Sequence, residues 1–353
     1  MMLLLLGLIL MLLVLRDVIH SVVPRGMSTQ FCLAPFLVRR VLWPPFSSLA
    51  SRITSPHWKA EVLSLFAPTV LLLLLITWIL LFTLSVGLIA WALASHFSPA
   101  INSPLNAFYV SAASVLTLGT SDFIARSADV KVLMLGDALM GIILTASLIS
   151  LMFALIGAIQ PREALVSMIA NLGGSPPSGL AILETFSSMK GHAYMPAFFD
   201  ECHHWCAEVL ETHKSFPILP YFRSNDSLTS WITALGAVLD SISLMLGADP
   251  AGDHFSARMT YLIGCKLLNE FTAIFKLTLP EPDDISDDEF HQLYLGLQSA
   301  GYSANSEEAA KANFRLLRLR YIAAHRALCD YLVVPIPPYM NKNLVLLPPL
   351  STG

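Results

Sequence analysis

The sequence predicts an all-α integral membrane protein with three transmembrane helices and one re-entrant loop, followed by an α-helical domain outside the bilayer. Three observations carry this. The 353-residue chain is 55% hydrophobic and only 13% charged, with a mean hydropathy of +0.64, which is not the composition of a soluble globular protein. Two apolar stretches, Leu63 to Ala94 and Val132 to Gln160, each exceed the roughly 20 residues needed to cross a bilayer. Between them lies Phe108 to Phe123, FYVSAASVLTLGTSDF, which is too short to cross by itself.

Met1 to about Val23 forms the first expected span. Arg16, Asp17 and His20 follow its apolar run. A signal peptide has its positive charge before that run and small residues at a cleavage site after it; this order is reversed, so the reading is a permanent helix with Arg16 snorkelling to the interface. Residues 24–62 form a connection carrying Arg25, Arg39, Arg40, Arg52 and Lys59 among Trp43, Trp58 and several Phe and Leu. Excess Lys and Arg marks the cytoplasmic side, and the basic and aromatic interleaving suits a helix along the inner interface. The N-terminus is then outside and the C-terminus inside, as for a multi-pass protein of the inner (plasma) membrane. Residues 63–160 form a helix, loop and helix module.

Within the loop, a short helix from Ala107 to Leu116 is expected to enter the membrane, and Thr117-Leu118-Gly119-Thr120-Ser121-Asp122 to return as extended chain. Backbone with unpaired amides is tolerated at that depth only where protein buries it or where it lines a wet cavity. These residues resemble the potassium-channel pore signature T-x-G-[YF]-G-D. Thr117, Gly119 and Asp122 match; Thr120 stands where the family has an aromatic residue, and Ser121 where it has its second glycine. The resemblance implies a selectivity filter at Thr117 to Asp122 whose carbonyls replace water around a monovalent cation such as potassium, with four chains surrounding one pore. Glycine adopts the left-handed backbone that such a filter needs and serine does so only with strain, so the ion preference stays open. Asp122 would place a ring of carboxylates at the outer mouth.

Two residues of the last span stand out. Asp137 is its one acid, either supporting the filter from behind or bonded to a neighbouring hydroxyl or backbone group. Gly141 lies mid-helix at a distance from the filter similar to that of a gating glycine in potassium-channel inner helices; it is a hinge or a site of close helix packing.

From Pro161 onward the pattern is helical and mixed, with six or seven helices over 161–333 and a Pro-rich, extended tail at 334–353. Trp231 to Leu246 is apolar but, with Asp240 inside it, fits a buried helix rather than a span. Ser175 before Pro176-Pro177, Ser286 to Glu289 and Asn305 to Glu308 read as helix starts. REALVSMIANLGGSPPSGLAIL (Arg162 to Leu183) and WCAEVLETHKSFPILPYFRSNDSLTSWITALGAVLD (Trp205 to Asp240) resemble the cytoplasmic domain of a bacterial group of channel-domain proteins.

The chemistry in this half is sparse. Cys202 and Cys206, a turn apart, could share a zinc with His203 or His213 completing the set, but the spacing is not that of a zinc knuckle and the adjacent His203 and His204 diverge by about 100° on a helix; buried thiols are the expectation, with no metal or other cofactor. His213, Arg223, Trp231 and Asp240, with Glu208 beside them, form a candidate ligand site in which Arg223 holds an anion, or else make core contacts with Arg223 paired to Asp240. Arg315, Arg318 and Arg320 read as a solvated face. A net charge of -4 without a basic run gives no reason to expect nucleic acid. The sequence therefore points to a homo-oligomeric pore-loop cation channel embedded in lipid. The alternatives are a channel-derived sensor or scaffold that does not conduct, and an enzyme housed in the C-terminal domain.

Overall fold

The computed structural model describes residues 1–22, 36–119, 122–224, 226, 228–282, 284–302 and 305–340. It is all-helical apart from one two-residue ladder, and four segments are long and apolar enough to cross a membrane: Met2–Ser21, His57–Ala92, Ala128–Gly173 and Trp231–Ala248. The chain divides into two compact units. The first comprises Met1–Ser48, Ser64–Gly157 and Lys214–Leu219, and the second Leu49–Leu63, Ala158–His213 and Pro220–Gly353.

In the first unit, α1 (Met2–Val22) is followed by wider π-type turns at Leu37–Leu42 and by α2 (Trp43–Ser51). The chain passes through α3 (Pro56–Ser64), which but for Ser64 belongs to the second unit, and returns to the first unit as α4 (Phe66–Ala92). Helices α1 and α4 run in opposite directions: Gly7 abuts Ser85 and Ile89, while the indole of the buried Trp78 donates to Asp17 Oδ2 at 2.8 Å. Val14, Val18, Leu74, Trp78, Phe82 and Val86 form the core between them.

Then α5 (Pro104–Val115) starts on an N-cap: the Ser103 hydroxyl accepts from Asn106 N, and Pro104 occupies the first turn, where its missing N–H costs nothing. This start is three residues earlier than the pattern suggests. The strands β1 (Phe97–Ser98) and β2 (Ile124–Ala125) pair antiparallel, Phe97 with Ala125 and Ser98 with Ile124. Arg126 N donates to His96 O at 3.0 Å, so the chain enters and leaves the α5 region at one place. α6 (Ala128–Gly173) follows as a single helix that runs through Pro161. The change of composition there is thus not a helix break; residues Ala128–Gly157 belong to the first unit and the rest to the second.

The second unit continues with α7 (Gly179–Ser188), α8 (Met195–Ser215), α9 (Trp231–Ala248), α10 (Phe255–Phe275), α11 (Asp287–Ser299), α12 (Glu307–Arg318) and α13 (Ile322–Leu332). All of α9 is buried, packed by α7 and α10 to α13, so its apolar character is that of a core helix. Ser286 and Glu289 form the expected capping box. Two other helix starts differ. Ser178, not Ser175, caps α7, because Ser175 is drawn to Asp226 and Thr229. Ser306, not Asn305, caps α12, because Asn305 N is committed to Ala248 O and its amide to Gly247 O, closing the end of α9.

The start of the Pro-rich stretch is packed rather than free. Thr233 donates to Pro335 O at 2.8 Å, and Arg318 lies 4.7 Å from the centre of the Tyr339 ring. Residues 341–353 lie outside the described residues.

Candidate functional site

The site in the first unit is built around the end of α5. A helix leaves its last carbonyls without intrahelical donors. Here Thr117 N donates to Ser114 O and Leu118 N to Ala113 O, both at 2.9 Å, with Thr117 at φ 52°. This is a Schellman cap with threonine at the position that usually holds glycine. Thr117 therefore does not open an extended run, since the cap needs that residue left-handed to satisfy the carbonyls. Gly119 is also left-handed, at φ 70°. Leu118, Gly119 and Asp122 are exposed, and Thr120 and Ser121 lie outside the described residues.

Contacts give the depth of α5. Its Phe108 backbone lies against Gly87 of α4, whereas Val115, Leu116 and Thr117 share a hollow with Ile79, eight residues back along α4. At 1.5 Å per residue, α5 descends about 12 Å along α4. The hollow measures about 390 Å³, and Gly141, Ile142, Thr145, Ala146 and Ile149 of α6 complete its wall. It is apolar except for two threonine hydroxyls and the carbonyl end of α5, and the Thr145 hydroxyl is bonded to Gly141 O at 3.0 Å.

Asp137 and Gly141 both face α5. Asp137 is only 2% exposed. It accepts from Ser111 Oγ at 3.0 Å, and its other oxygen has no hydrogen-bond partner among the described residues. One turn away, Ser114 Oγ donates to Met134 O at 2.8 Å. The acid thus engages the middle of α5. Gly141 touches the Val115 carbonyl, where no side chain fits.

In the second unit the four candidate ligand residues are not one site. His213 and Trp231 are neighbours, their rings 5.1 Å apart. Around them stands a residue outside that candidate set: Arg162, 1% exposed. Its Nε donates to Glu163 at 2.8 Å, one terminal nitrogen to His213 Nε2 at 3.2 Å and the other to Phe222 O at 3.0 Å. Trp205 donates to the Arg162 carbonyl at 3.2 Å. Because a guanidinium only donates, His213 Nε2 is the acceptor and the ring is neutral; burial and the adjacent Arg162 charge hold its pKa well below the usual histidine value.

Arg223 is not paired with Asp240. Its fork donates to the carbonyls of Leu332 and Val333, closing the end of α13 where cations are favoured, and burial lowers its pKa to about 10. Asp240 instead accepts from Tyr321 and lies 3.5 Å from Arg318 Nε. Arg318 is therefore buried rather than solvated. Arg315 pairs with Asp284 at 2.8 Å, and only Arg320 of the three is exposed.

Cys202 and Cys206 are fully buried free thiols, pushed up in pKa chiefly by burial, and no metal-binding group of His, Cys, Asp and Glu occurs among the described residues. His204 points its Nδ1 to Asp200 O at 2.8 Å. No protein-family model, curated protein or solved structure matches this chain.

Proposed function

We propose that the chain is one subunit of a pore-loop cation channel, in which α1, α4 and α6 cross the inner membrane and α5 is the re-entrant pore helix. The observation that carries this reading is the course of the Pro104 to Ile124 segment: it descends about halfway along α4 and returns to the β1–β2 ladder beside its starting point. Such a path has no use in a simple anchor. The carbonyl end of α5 opens on the hollow, and a helix C-terminus carries about half a negative charge, which favours a cation there. The hollow is open on one side, and Leu135, Leu139, Ile142 and Phe153 of α6 are exposed; further copies of the chain, four by the family resemblance, and lipid would cover them. Thr117 to Asp122 would form the filter, and the helical second unit would act as a cytoplasmic regulatory domain.

The test is the reversal potential of reconstituted protein under opposing potassium and sodium gradients. A potential set by the cation gradients is the expected result. Properly assembled protein that passes no current would overturn the proposal in favour of a non-conducting sensor or scaffold. One observation favours that second reading: Thr117 N–H is tied back to Ser114 and Leu118 N–H to Ala113, so the first two filter positions are part of a helix cap.

A further inference from the structure

After α13 the chain forms a strap, Val334 to Met340, that lies on the second unit. Alternate residues hold it, as extended chain allows. Pro335 O accepts from the Thr233 hydroxyl at 2.8 Å, Pro337 is buried against Gly236, and the Tyr339 ring centre is 4.7 Å from the Arg318 guanidinium. Ile336, between the first two, is 42% exposed. The chain turns into the strap at Val333, whose φ of 55° is left-handed, a rare conformation for a β-branched residue. That turn caps α13: Val333 N donates to Asp330 O at 3.2 Å and Val334 N to Cys329 O at 2.9 Å. Arg223 fastens it through the carbonyls of Leu332 and Val333. The hinge is thus a strained residue held in place by its surroundings, as in switch segments.

Beneath the strap sits His325, 1% exposed. A methyl group at Gly236 would collide with His325 Nε2 and lie 2.9 Å from Pro337 Cγ, so ring and strap converge on one stretch of α9 backbone. Nε2 donates to Ile232 O at 3.0 Å, which can only accept, and the neutral ring is therefore bare at Nδ1. The charged groups that face it are Asp240 of α9, Arg318 of α12 and Arg326 of α13 itself. Cys329 Sγ is 3.7 Å from Nε2, and α10 reaches this part of the chain by stacking Tyr261 on Tyr321 and Phe275 on Tyr331. Asp240 is shared with Tyr321 and Arg318. Burial first, and then Arg318 and Arg326, hold the His325 pKa below its ordinary value against the pull of Asp240. An imidazolium in this crevice requires water. Among these neighbours Pro337 belongs to coil rather than to a helix, so it yields first.

We propose that the strap is an acid-released latch: a second proton on His325 unseats Pro337, and Val334 to Met340 swing away about Val333, baring the face of α9 that carries Thr233 and Gly236. The inference concerns the second unit alone and stands whether or not the protein conducts.

The test places a nitroxide on Ile336→Cys in full-length Cys32→Ser protein, whose other cysteines are buried, and measures the ratio of mobile to seated label by electron paramagnetic resonance. Below pH ~6.5 that ratio should climb by up to about tenfold per pH unit, as one proton allows. Helical circular dichroism should stay unchanged, and the ratio should fall again on neutralisation. His325→Gln keeps an amide that can donate to Ile232 O but takes up no proton, so it should abolish the climb, whereas His213→Gln should leave it. Thr233→Val removes the hydroxyl that holds Pro335 O and should raise the ratio already at neutral pH. A ratio independent of pH, a climb that persists in His325→Gln or disappears in His213→Gln, a climb that tracks loss of helix, or an unchanged ratio in Thr233→Val would each overturn the proposal.

Discussion

The carbonyl oxygen of Val115 rests directly on the backbone of Gly141: a methyl group at position 141 would lie 1.9 Å from that oxygen. The contact joins the end of α5 to the middle of α6, and both partners are backbone, so neither yields cheaply. Gly141→Ala should destabilise the protein by at least ~1–3 kcal/mol, as overpacking does, and lower its thermal midpoint in detergent. A pure hinge predicts the opposite pattern, with an unchanged midpoint and altered opening.

Ser111 and Asp137 hold the same two helices together a turn or two away. Ser111→Ala removes the only described partner of a buried carboxyl group, a loss of roughly 1–3 kcal/mol. Asp137→Asn still accepts from the hydroxyl and should be milder. The double variant Ser111→Ala with Asp137→Ala should cost less than the sum of its single changes, because the two residues share one interaction. Strict additivity in thermal midpoints would show that the pair is not coupled.

Arg162 fixes the second unit through three directions of its guanidinium. Arg162→Met should destabilise that unit by ~3–5 kcal/mol, since it leaves His213, Glu163 and the Phe222 carbonyl without their donor. Arg162→Lys should recover little, because an ammonium cannot reproduce the planar fork. Limited proteolysis of the full-length protein, followed in the second unit, reads both.

Mild acid should weaken the second unit. Burial, reinforced by Arg162 at His213, holds both His213 and His325 below the ordinary pKa of 6.5. Both stay neutral in the folded chain and take up protons on unfolding. Stability is therefore full above pH ~6.5 and falls as pH drops toward the folded values, by up to about 1.4 kcal/mol per pH unit for each histidine. His213→Gln should flatten the dependence of thermal midpoint on pH between 6.5 and 5. An identical slope in the variant would place the acid sensitivity elsewhere.

Much of the architecture was legible because it is local. Length and apolarity define α1, α4 and α6, and Ser286 with Glu289 is a capping box; each depends on residues a few positions apart. The tertiary structure decided which polar groups meet. Arg162 finds His213 51 positions away, Tyr321 finds Asp240 across 81, and Arg223 closes a helix end 109 residues on. It also decided that Gly141 bears against Val115, whereas the burial of Trp231–Ala248 was already legible from Asp240 within its apolar run. Periodicity tells which face of a helix is apolar, but it does not tell which other helix covers that face; a buried charge has its partner chosen by packing, since only the folded arrangement brings the donors and acceptors within reach.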